Sequence, residues 1–542
     1  MSSDKGGKGL KKKLGSFLNL GRREVISALY ELVEQRDRAG GAVRPGRRQR
    51  MGVPFGRRQR GRSMGVPFGR GCPFGRGWSM GVLLGGGRVI GLSRLEGLVV
   101  ALWEERRAGG AGGSAMQRMR AMFREEGLRP RQQKRVKALY YQWLSREAMV
   151  EYAVEVGAPG GIIPVLAGPV RLLASRVLSG DLSPREAAAK VPWMDWERVR
   201  GVPVEVRGME DVPRRLELLG SIPPWLARRL WEVLGEEAQP CLEGLMGRPR
   251  VTLRANLLWG DRERLAQALA EEGISTRPTE FASQGLLLER PAQLLRTKAY
   301  GRGAFELQDE ASQLVAELVA PPKGGLVLDA CAGAGGKALS LAGMVGPGGR
   351  VVALDNSASR LADLRRRARR AGASHVEGFR VPADSWPPRI VELARRADRI
   401  LVDAPCSGLG SLRRNPDLRA RIDPNELRRL RGIQVSLLER AGRVLAPGAQ
   451  LIYATCTFLP EENAEVVAEV CARIPELELL PVAEVLGDGG AGEKPLSFLR
   501  AGEQALPFLC EGGRFFQTLP HRHGMDGFFA AVLRRRNPGE AG

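Results

Sequence analysis

The stretch LVLDACAGAGGKALSLAGMVGPGGRVVALD, residues 326–355, has the pattern of a strand, a glycine-rich loop, a helix and a second strand. Glycines allow the backbone to approach a ligand closely, and the exposed amides at the start of a helix favour an anionic group. The second strand ends at Asp355, where a carboxylate can bind both hydroxyls of a ribose. The stretch therefore predicts a ribose-containing cofactor at the carboxyl ends of the strands.

The glycine loop alone leaves the identity of the cofactor open. Gly333, Gly335 and Ala338 also fit the G-x-G-x-x-A pattern of nicotinamide and flavin enzymes. A P-loop is matched less well, because Cys331 replaces its first glycine and Ala338 stands where Ser or Thr would bind magnesium. A nicotinamide-dependent oxidoreductase therefore stays as an alternative.

From Leu326 onwards, apolar strands alternate with helices. Continuous Val/Ile/Leu strands predict an α/β fold with a doubly wound, Rossmann-like parallel sheet, and RFFQTLP and GFFAAVLRR predict an antiparallel pair at its edge. Asp384 in PADSW and Asp403 in VDAPC follow two further strands. A single aspartate after a strand is as readily explained as the N-cap of the next helix as by a binding role. Three aspartates that follow successive strands, Asp355, Asp384 and Asp403, favour a binding site.

Two cysteines end apolar strands, Cys406 in ILVDAPCSGLG and Cys456 in LIYATCTFLPEEN. A thiolate that adds to C6 of cytosine makes C5 nucleophilic towards an electrophilic methyl group; a base then removes the C5 proton and the thiol leaves. Asp403 lies three residues before Cys406, and a helix start within about five residues of Cys456 would lower the pKa of that thiol. The residues alone do not rank the two thiols.

The remaining cysteines have no such context. A cysteine taken alone is most often a small buried hydrophobe, which is our interpretation of Cys72, Cys241, Cys471 and Cys510. The chain has seven cysteines without a CxxC pair or a Cys/His ligand spacing, which argues against a disulfide framework and a metal site. We expect free thiols and a cytoplasmic protein. The basic start lacks a signal-peptide pattern, and no apolar run reaches the roughly 18 residues of a membrane span.

The net charge of +24 is concentrated at the N-terminus. Residues 1–90 contain 20 basic and five acidic residues, and MGVPFGR occurs at 51–57 and again at 64–70. Short Gly/Pro/Arg repeats cannot bury a core, so residues 1–90 are predicted to be a disordered, low-complexity region. The charge has two interpretations, a solvated tail and an electrostatic surface for nucleic acid.

Three folded regions are predicted after this tail. Residues 91–205 have helical periodicity, glycine stops and the capping-box sequence SPRE, and predict an all-helical domain. Residues 221–305 begin with a helix that has proline in its first turn and continue with a strand, a helix and a strand, a small α+β module. Residues 306–537 hold the predicted doubly wound domain.

The motifs DACAGAGGK, DNSASRL, ADSW, DAPCSGLGSLRRNPD and YATCTFLPEEN occur in this order and resemble those of RNA cytosine-C5 methyltransferases of the NOL1/NOP2/Sun class. RGAFELQDEASQLVAELV and DGFFAAVLRR on either side are also similar to that family, so the resemblance covers residues 221–536. By its arrangement, the helical region resembles the NusB-like RNA-binding domain of the bacterial members that methylate a cytosine of 16S ribosomal RNA. The resemblance implies RNA as the partner of the helical domain, the α+β module and the catalytic domain, and favours 16S ribosomal RNA over transfer RNA.

The resemblance also implies roles for individual residues. It implies S-adenosylmethionine as the cofactor, with Asp355 at the ribose, Asp384 at the adenine and Asp403 near the methyl group and the target base. It makes Cys456 the nucleophile and Cys406 the thiol that helps to release the methylated product. The loop residues that it assigns to the cofactor are Cys331, Ala332, Gly333, Ala334, Gly335, Gly336 and Lys337, the last of which would position the loop and the nearby acids.

Some features depart from the family. Gly333-Ala334 stands where the family has Ala-Pro, and the missing proline is expected to loosen the loop. Thr457 replaces the more common serine, and the N-terminal repeats have no counterpart. The altered loop and the basic tail keep a second hypothesis open, a non-catalytic RNA-binding or ribosome-assembly factor that would not bind S-adenosylmethionine. We expect a monomer in either case.

Overall fold

The computed structural model describes residues 83–84, 88–108, 115–158, 160–162, 166–420, 422–487 and 508–537. Leu83–Leu84 (β1) and Arg88–Val89 (β2) form a short antiparallel pair. Residues 1–82 of the predicted low-complexity region, together with Cys72, lie outside the described residues.

Helices between residues 94 and 220 pack around a shared apolar core. They are Arg94–Arg107 (α1), Ala115–Glu125 (α2), Pro130–Leu144 (α3), Glu147–Gly157 (α4), Ala167–Leu178 (α5), Pro184–Lys190 (α6), Trp196–Arg207 (α7) and Val212–Gly220 (α8). Trp103 and Trp143 stack in this core with ring centroids 4.6 Å apart. Ser183 and Glu186 form the capping box that the sequence SPRE predicts at the start of α6. The bundle continues through α8, beyond residue 205, because Leu218 belongs to the same core.

Helices Pro224–Leu234 (α9) and Ala238–Met246 (α10) follow the bundle. Their apolar side chains, with Leu226, Leu230 and Leu242 at the centre, pack against Leu412 and Phe458 of the C-terminal domain. The sequence analysis placed α9 in the α+β module, whereas the structure places its apolar face in a core shared with loops of the C-terminal domain.

A four-stranded antiparallel sheet follows, in the order β4-β5-β3-β6. Its strands are Thr252–Ala255 (β3), Thr276–Pro278 (β4), Gly285–Leu288 (β5) and Phe305–Leu307 (β6), accompanied by helices Arg262–Glu271 (α11) and Lys298–Gly301 (α12). Leu253, Leu265 and Leu286 share its core. Strands β3 and β5 and helix α11 lie where their sequence pattern predicts them.

The C-terminal part of the described chain is built on a mixed nine-stranded sheet of order β13-β14-β15-β11-β10-β7-β8-β9, in which β12 also pairs with β15. The strands are Leu326–Asp329 (β7), Arg350–Asp355 (β8), Val376–Arg380 (β9), Arg399–Asp403 (β10), Gln450–Thr455 (β11), Leu477–Leu480 (β12), Leu509–Cys510 (β13), Phe515–Thr518 (β14) and Phe528–Arg535 (β15). Strands β7 to β11 are parallel, and β14 and β15 form the predicted antiparallel pair at the edge. The doubly wound α/β sheet expected from the apolar strands is confirmed.

Helices cover both faces of this sheet. They are Glu310–Val319 (α13), Gly336–Val345 (α14), Ala358–Ala371 (α15), Pro388–Arg395 (α16), Pro424–Val444 (α17), Ala464–Arg473 (α18), Val482–Gly487 (α19) and Pro520–His523 (α20). Leu314 and Leu364 pack on one face, and Leu393, Leu438 and Val470 on the other. Strands covered on both faces have continuous apolar sequences, as β8 does. In the part of the chain that the structure describes, no helix combines the length and the apolar character needed to cross a membrane.

Candidate active site

The carboxyl ends of β7, β8, β10 and β11 carry the polar groups of the site. Strand β7 lies between β8 and β10. The connection from β7 runs to one side of it, towards β8 and β9, whereas β10 and β11 lie on its other side. Doubly wound sheets bind ligands in the crevice that forms at such a change of direction. Asp355 and Asp403 are the last residues of β8 and β10, and Cys456 directly follows β11. Asp403 pairs in register with Ala454 on β11. Residues far apart in sequence therefore meet at one edge of the sheet.

The loop between β7 and α14 has glycine where the backbone requires it. Gly333 and Gly335 have φ angles of +55° and +88°. A Cβ atom on Gly335 would lie 2.9 Å from Cγ of Leu364, and the amide of Gly335 donates to the carbonyl of Ala332 at 2.8 Å. Apart from its two chain neighbours, no described residue has a heavy atom within 4 Å of a Cβ atom built on Gly333. The backbone at Gly333 therefore borders open space that a ligand can fill.

Side chains outside the loop hold it in place. Asp355 accepts a hydrogen bond from the amide of Gly333 at Oδ2 (3.0 Å) and one from the amide of Ser357 at Oδ1 (2.7 Å). Arg367 donates from Nη1 to the carbonyl of Ala334 at 2.8 Å. The absence of the family's proline was expected to loosen this loop. In the structure, however, these hydrogen bonds restrain both Gly333 and Ala334, the residues that replace the Ala-Pro pair.

The four-stranded sheet supports the same loop from behind. Arg254 of β3 donates from Nη1 to the carbonyl of Gly336 at 2.7 Å and also bonds to Gln308. Burial lowers the pKa of Arg254 to about 10. Arg367 forms an ion pair with Glu306 of β6 at 2.9 Å. Neither arginine was singled out from the sequence, because their role depends on how the two sheets meet.

Asp329, the last residue of β7, was also missed by the sequence analysis. Its side chain is buried; Oδ1 accepts a hydrogen bond from the amide of Cys331 at 3.3 Å, and Oδ2 has no partner among the described residues. Burial, followed by the nearby carboxylate of Asp403, raises the pKa of Asp329 to about 7. A buried carboxylate oxygen without a hydrogen bond is costly, and a ligand that donates to it would remove that cost.

Lys337 and Asp403 form an ion pair beside this carboxylate. Nζ of Lys337 lies 2.7 Å from Oδ2 of Asp403 and 4.9 Å from the ring centroid of Phe528. The lysine side chain is 7% exposed and the aspartate side chain 30% exposed, so the ammonium group is the more deeply buried partner. The predicted loop lysine and the predicted strand-end acid are thus in direct contact.

The two strand-end thiols are also in contact. Sγ of Cys406 and Sγ of Cys456 lie 3.4 Å apart, and the amide of Cys456 donates to Sγ of Cys406 at 3.3 Å. The carbonyl of Cys456 accepts a hydrogen bond from the amide of Gly410 at 3.0 Å. The hydrogen bond with Cys456, together with burial, raises the pKa of the Cys406 thiol well above its ordinary value. Cys406 therefore stays protonated near neutral pH.

A buried carboxylate links the segments that carry the thiols. Glu462 is fully buried and accepts hydrogen bonds from the amide of Ser407 (2.8 Å), the hydroxyl of Ser407 (2.5 Å) and Nε2 of Gln434 (3.0 Å). Burial raises the pKa of Glu462. Sequence reasoning read PEEN only as a helix start and did not identify this acid.

The segment after Cys456 differs from the expectation in where its helix starts. Pro460–Glu462 form a 3-10 turn, and α18 begins at Ala464. Asn463 interrupts the helix, with φ −122° and ψ −105°, because its side chain accepts from the hydroxyl of Thr455 (2.5 Å) and donates to the carbonyl of Thr457 (3.1 Å). A helical turn therefore starts within about five residues of Cys456, as expected, but it is a 3-10 turn, and the α-helix begins only at Ala464, eight residues after the thiol.

Asp384 lies in an exposed position four residues beyond the end of β9. Its Oδ1 accepts a hydrogen bond from the hydroxyl of Ser385 at 3.3 Å. Arg440 of α17 donates from Nη1 to the carbonyl of Ala383 at 3.2 Å. Burial lowers the pKa of Arg440, and the carboxylate of Asp384 acts in the opposite direction. Arg440, another residue that sequence reasoning missed, thus restrains the loop that carries Asp384.

The segment after Cys406 is anchored by a buried ionic network. Nε of Arg413 lies 2.5 Å from Oδ1 of Asp526, and Nε of Arg414 lies 2.7 Å from Oδ2 of the same carboxylate. Arg414 also pairs with Asp309, which accepts a hydrogen bond from the amide of Asp526 at 3.0 Å. The network ties together three of the quoted motifs, in QDEAS, SLRRNPD and DGFF.

These groups fit S-adenosylmethionine. The open backbone at Gly333, the carboxylate of Asp355 beside it and the unpartnered Oδ2 of Asp329 provide acceptors and space for a nucleoside with a charged tail. The thiol pair lies at the same edge of the sheet, where a second substrate would meet the cofactor. The site therefore places a crevice that fits the cofactor at the same edge of the sheet as a pair of thiols.

Comparison with known proteins gives consistent matches. Residues 316–534 match the model of the 16S rRNA methyltransferase RsmB/F family, and residues 222–294 match that of the ferredoxin-like domain of RsmF/B-like methyltransferases. The probable ribosomal RNA small subunit methyltransferase B of Bacillus subtilis strain 168 is 33% identical over 338 residues, which are 62% of this chain and 71% of that protein. Ribosomal RNA small subunit methyltransferase B of Pasteurella multocida strain Pm70 is 33% identical over 316 residues, 58% of this chain and 65% of that protein.

Solved structures share the fold. The crystal structure of PH0851 superposes with a TM-score of 0.62 at 23% sequence identity and covers 82% of this chain and 100% of its own. A methyltransferase homolog protein from Pyrococcus horikoshii superposes with a TM-score of 0.50 at 27% identity and covers 60% of this chain and 100% of its own.

Proposed function

The chain belongs to the 16S rRNA methyltransferase RsmB/F family, and from this premise we propose that it methylates C5 of a cytosine in RNA through a covalent cysteine adduct. Its cofactor is S-adenosylmethionine, which supplies an electrophilic methyl group when bound. The observation that carries the proposal is the pair of thiols 3.4 Å apart at the carboxyl edge of the sheet, beside the Lys337–Asp403 ion pair.

Cys456 is the proposed nucleophile. Its thiolate adds to C6 of the cytosine, and the electron pair of the C5–C6 double bond moves so that C5 can attack the methyl group. Cys406 suits this role less well, because its raised pKa keeps it protonated. Because the two sulfur atoms are in contact, the Cys406 thiol can exchange a proton with the sulfur of Cys456.

Cys406 is the proposed release group. After methylation, the proton on C5 leaves to a base, the C5–C6 double bond forms again and the bond between C6 and the sulfur of Cys456 breaks. The Cys406 thiol lies within 3.4 Å of the departing sulfur and can assist this step by proton transfer. Without it, the adduct would persist.

The acids and the loop residues position the reactants. We propose that Asp355 binds the ribose, that Asp384 binds the adenine and that the loop from Cys331 to Lys337 surrounds the cofactor. Asp403, held by Lys337, is the proposed contact to the methyl group and the target base. The unpartnered oxygen of Asp329 adds a further acceptor for the cofactor.

The substrate is proposed to be 16S ribosomal RNA, in keeping with the names of the relatives. The helical bundle α1–α8 is the proposed NusB-like RNA-binding domain, and the four-stranded sheet, matched by the ferredoxin-like model, is a second proposed RNA contact. A non-catalytic assembly factor remains the alternative hypothesis, but it gives the paired thiols and the ion pair no role.

Methyl transfer by the full-length protein tests the proposal directly. Unmodified transcripts of 16S ribosomal RNA and of transfer RNA would be incubated with methyl-labelled S-adenosylmethionine, and the nucleosides identified by mass spectrometry. We expect 5-methylcytidine in the ribosomal transcript, and the same yield from a Cys471→Ala control, since Cys471 lies on α18 outside the site. Methylation of transfer RNA alone would overturn the proposal of a ribosomal substrate. If neither transcript is methylated, and isolated small ribosomal subunits are not methylated either, the proposed activity is overturned.

A further inference from the structure

We propose that Glu462 is a positioning residue, whose side-chain hydrogen bonds hold the Cys406 segment against Cys456. The catalytic consequence rests on the proposed function, whereas the geometric part can be tested without RNA or cofactor. Glu462 contacts neither sulfur through a hydrogen bond in the structure; it acts through the residues next to them.

Hydrogen bonds from the side chains of Glu462 and Gln434 hold the chain on both sides of Cys406, at Pro405 and at Ser407. After Cys406, the amide and the hydroxyl of Ser407 donate to Glu462 at 2.8 and 2.5 Å. Before Cys406, the carbonyl of Pro405 accepts from Nε2 of Gln434 at 3.0 Å, and the same nitrogen donates to Oε1 of Glu462 at 3.0 Å. The peptide that carries Cys406 is therefore fixed through the residues on either side of it.

The backbone of Glu462 is anchored to β11, the strand that ends directly before Cys456. The backbone carbonyl of Glu462 accepts a hydrogen bond from the hydroxyl of Tyr453 in β11 at 2.6 Å. The hydroxyl of Ser407 also lies 3.1 Å from that of Thr457, the residue after Cys456. Glu462 thus joins the end of β11 to the segment after β10, which are the two places from which the thiols project.

The energetics favour a positioning role. Glu462, Ser407 and Gln434 are all buried, so a missing acceptor would leave the amide of Ser407 and one N–H of Gln434 without a partner. Leaving such donors unsatisfied costs about 1–3 kcal/mol each, and a shift of the Cys406 segment towards other partners relieves that cost. Because proton transfer needs the two groups within hydrogen-bond distance, a shift of about 1 Å is enough to slow the release step.

The glutamine variant separates hydrogen bonding from charge. In Glu462→Gln, the amide oxygen can still accept from the amide of Ser407 and from Gln434, while its NH₂ group faces the Ser407 hydroxyl, which can rotate to accept. In Glu462→Ala, all of these bonds are lost. Rescue by glutamine therefore indicates positioning, and equal defects in both variants would indicate that the negative charge itself acts.

The first test measures methylation and release separately with a ribosomal transcript and the full-length protein. For Glu462→Ala we expect single-turnover methyl transfer within about threefold of the wild type and release about tenfold slower, seen as an accumulating covalent protein–RNA complex. Glu462→Gln should restore release to within about threefold. Wild-type release in Glu462→Ala, an equal loss of both steps, or no rescue by glutamine would each overturn the proposal.

The second test needs neither RNA nor methylation, so it distinguishes failure of this proposal from failure of the proposed function. Diamide takes two electrons and two protons from a pair of adjacent thiols and leaves a disulfide, which peptide mass spectrometry locates. With the thiols held 3.4 Å apart in the wild type, we expect Glu462→Ala to form the Cys406–Cys456 disulfide about fivefold more slowly and Glu462→Gln at about the wild-type rate. An unchanged rate in Glu462→Ala would overturn the positioning role, whatever the substrate.

A milder variant covers the case in which Glu462→Ala does not fold, as judged by its thermal unfolding. Ser407→Ala removes one bond to Glu462 and keeps those of the Ser407 amide and of Gln434. We expect it to slow disulfide formation about twofold to threefold without loss of the folded state. A disulfide rate equal to that of the wild type would contradict the proposal.

Discussion

Nζ of Lys337 lies 2.7 Å from Oδ2 of Asp403, and this ion pair joins the first turn of α14 to the end of β10. The charge of Asp403 raises the pKa of the buried Asp329 carboxyl and that of Lys337 lowers it, and Nζ of Lys337 lies 4.9 Å from the ring centroid of Phe528. One lysine therefore holds an acid from a different strand at the edge of the sheet that also carries the glycine loop and the two thiols.

Replacing this lysine should weaken both the fold and the reaction. Lys337→Met removes the cation beside two carboxylates, so we expect the free energy of unfolding to fall by about 1–3 kcal/mol. This loss is smaller than that for breaking a fully buried ion pair, because the side chain of Asp403 is partly exposed. Methyl transfer should fall about tenfold or more, because Asp403 loses its orientation. Thermal unfolding and single-turnover kinetics measure the two effects. Lys323→Met, at an exposed lysine, is the control, and a Lys337→Met protein that behaves like it would contradict this role.

Asp329 should make stability depend on pH. Its pKa is about 7 in the folded protein, above the value of about 3.9 in an unfolded chain, so the unfolded state loses the proton first as the pH rises. The native state is therefore penalised progressively between about pH 4 and pH 7, and by a constant amount above that range. Asp329→Asn keeps the acceptor for the Cys331 amide and removes the penalty.

The asparagine variant should accordingly gain stability relative to the wild type as the pH rises. We expect little difference at pH 4 and a gain on the order of 2–4 kcal/mol at pH 8, seen as a higher unfolding temperature in the absence of cofactor. A difference in unfolding temperature that does not change with pH would show that the burial of the Asp329 charge is not its cause.

Gly335 should not tolerate a side chain. Its φ of +88° is strained for alanine, and the new Cβ atom would lie 2.9 Å from Cγ of Leu364. We expect Gly335→Ala to cost about 2–4 kcal/mol of stability and to weaken binding of S-adenosylmethionine at least about tenfold. Calorimetry measures the binding. At Gly348, φ is not positive, and no described residue other than its chain neighbours has an atom within 4 Å of an added Cβ, so Gly348→Ala should bind the cofactor like the wild type. Equal binding by the two alanine variants would contradict the role of the turn at Gly335.

The parts of the fold that follow from local sequence were predictable. Continuous apolar strands such as β8 and β11 indicated a sheet covered on both faces, and the capping box at Ser183 marked a helix start. Asp355, Asp403 and Cys456 could be placed at one edge because parallel strands bring their carboxyl ends together.

The parts that depend on tertiary contacts were not predictable. Arg254 reaches the glycine loop only because the four-stranded sheet docks against α14, and Glu462 reaches Ser407 only because β10 and β11 are paired. The side-chain bonds of Asn463 delay the start of α18, against the helical pattern of PEEN and the residues that follow. Asp329 was missed because its unpartnered oxygen is a property of burial, which sequence spacing does not reveal.

The assignment of consecutive roles to the two thiols is tested most directly by the covalent protein–RNA complex formed by single-cysteine variants. With S-adenosylmethionine and the ribosomal transcript, Cys406→Ala is expected to accumulate a complex that resists denaturation and carries a methyl group on C5 of the trapped cytosine. Cys456→Ala is expected to form no complex and to transfer no methyl group, and Cys471→Ala to turn over like the wild type. Methyl transfer by Cys456→Ala, or a trapped complex bonded through Cys406, would contradict the account.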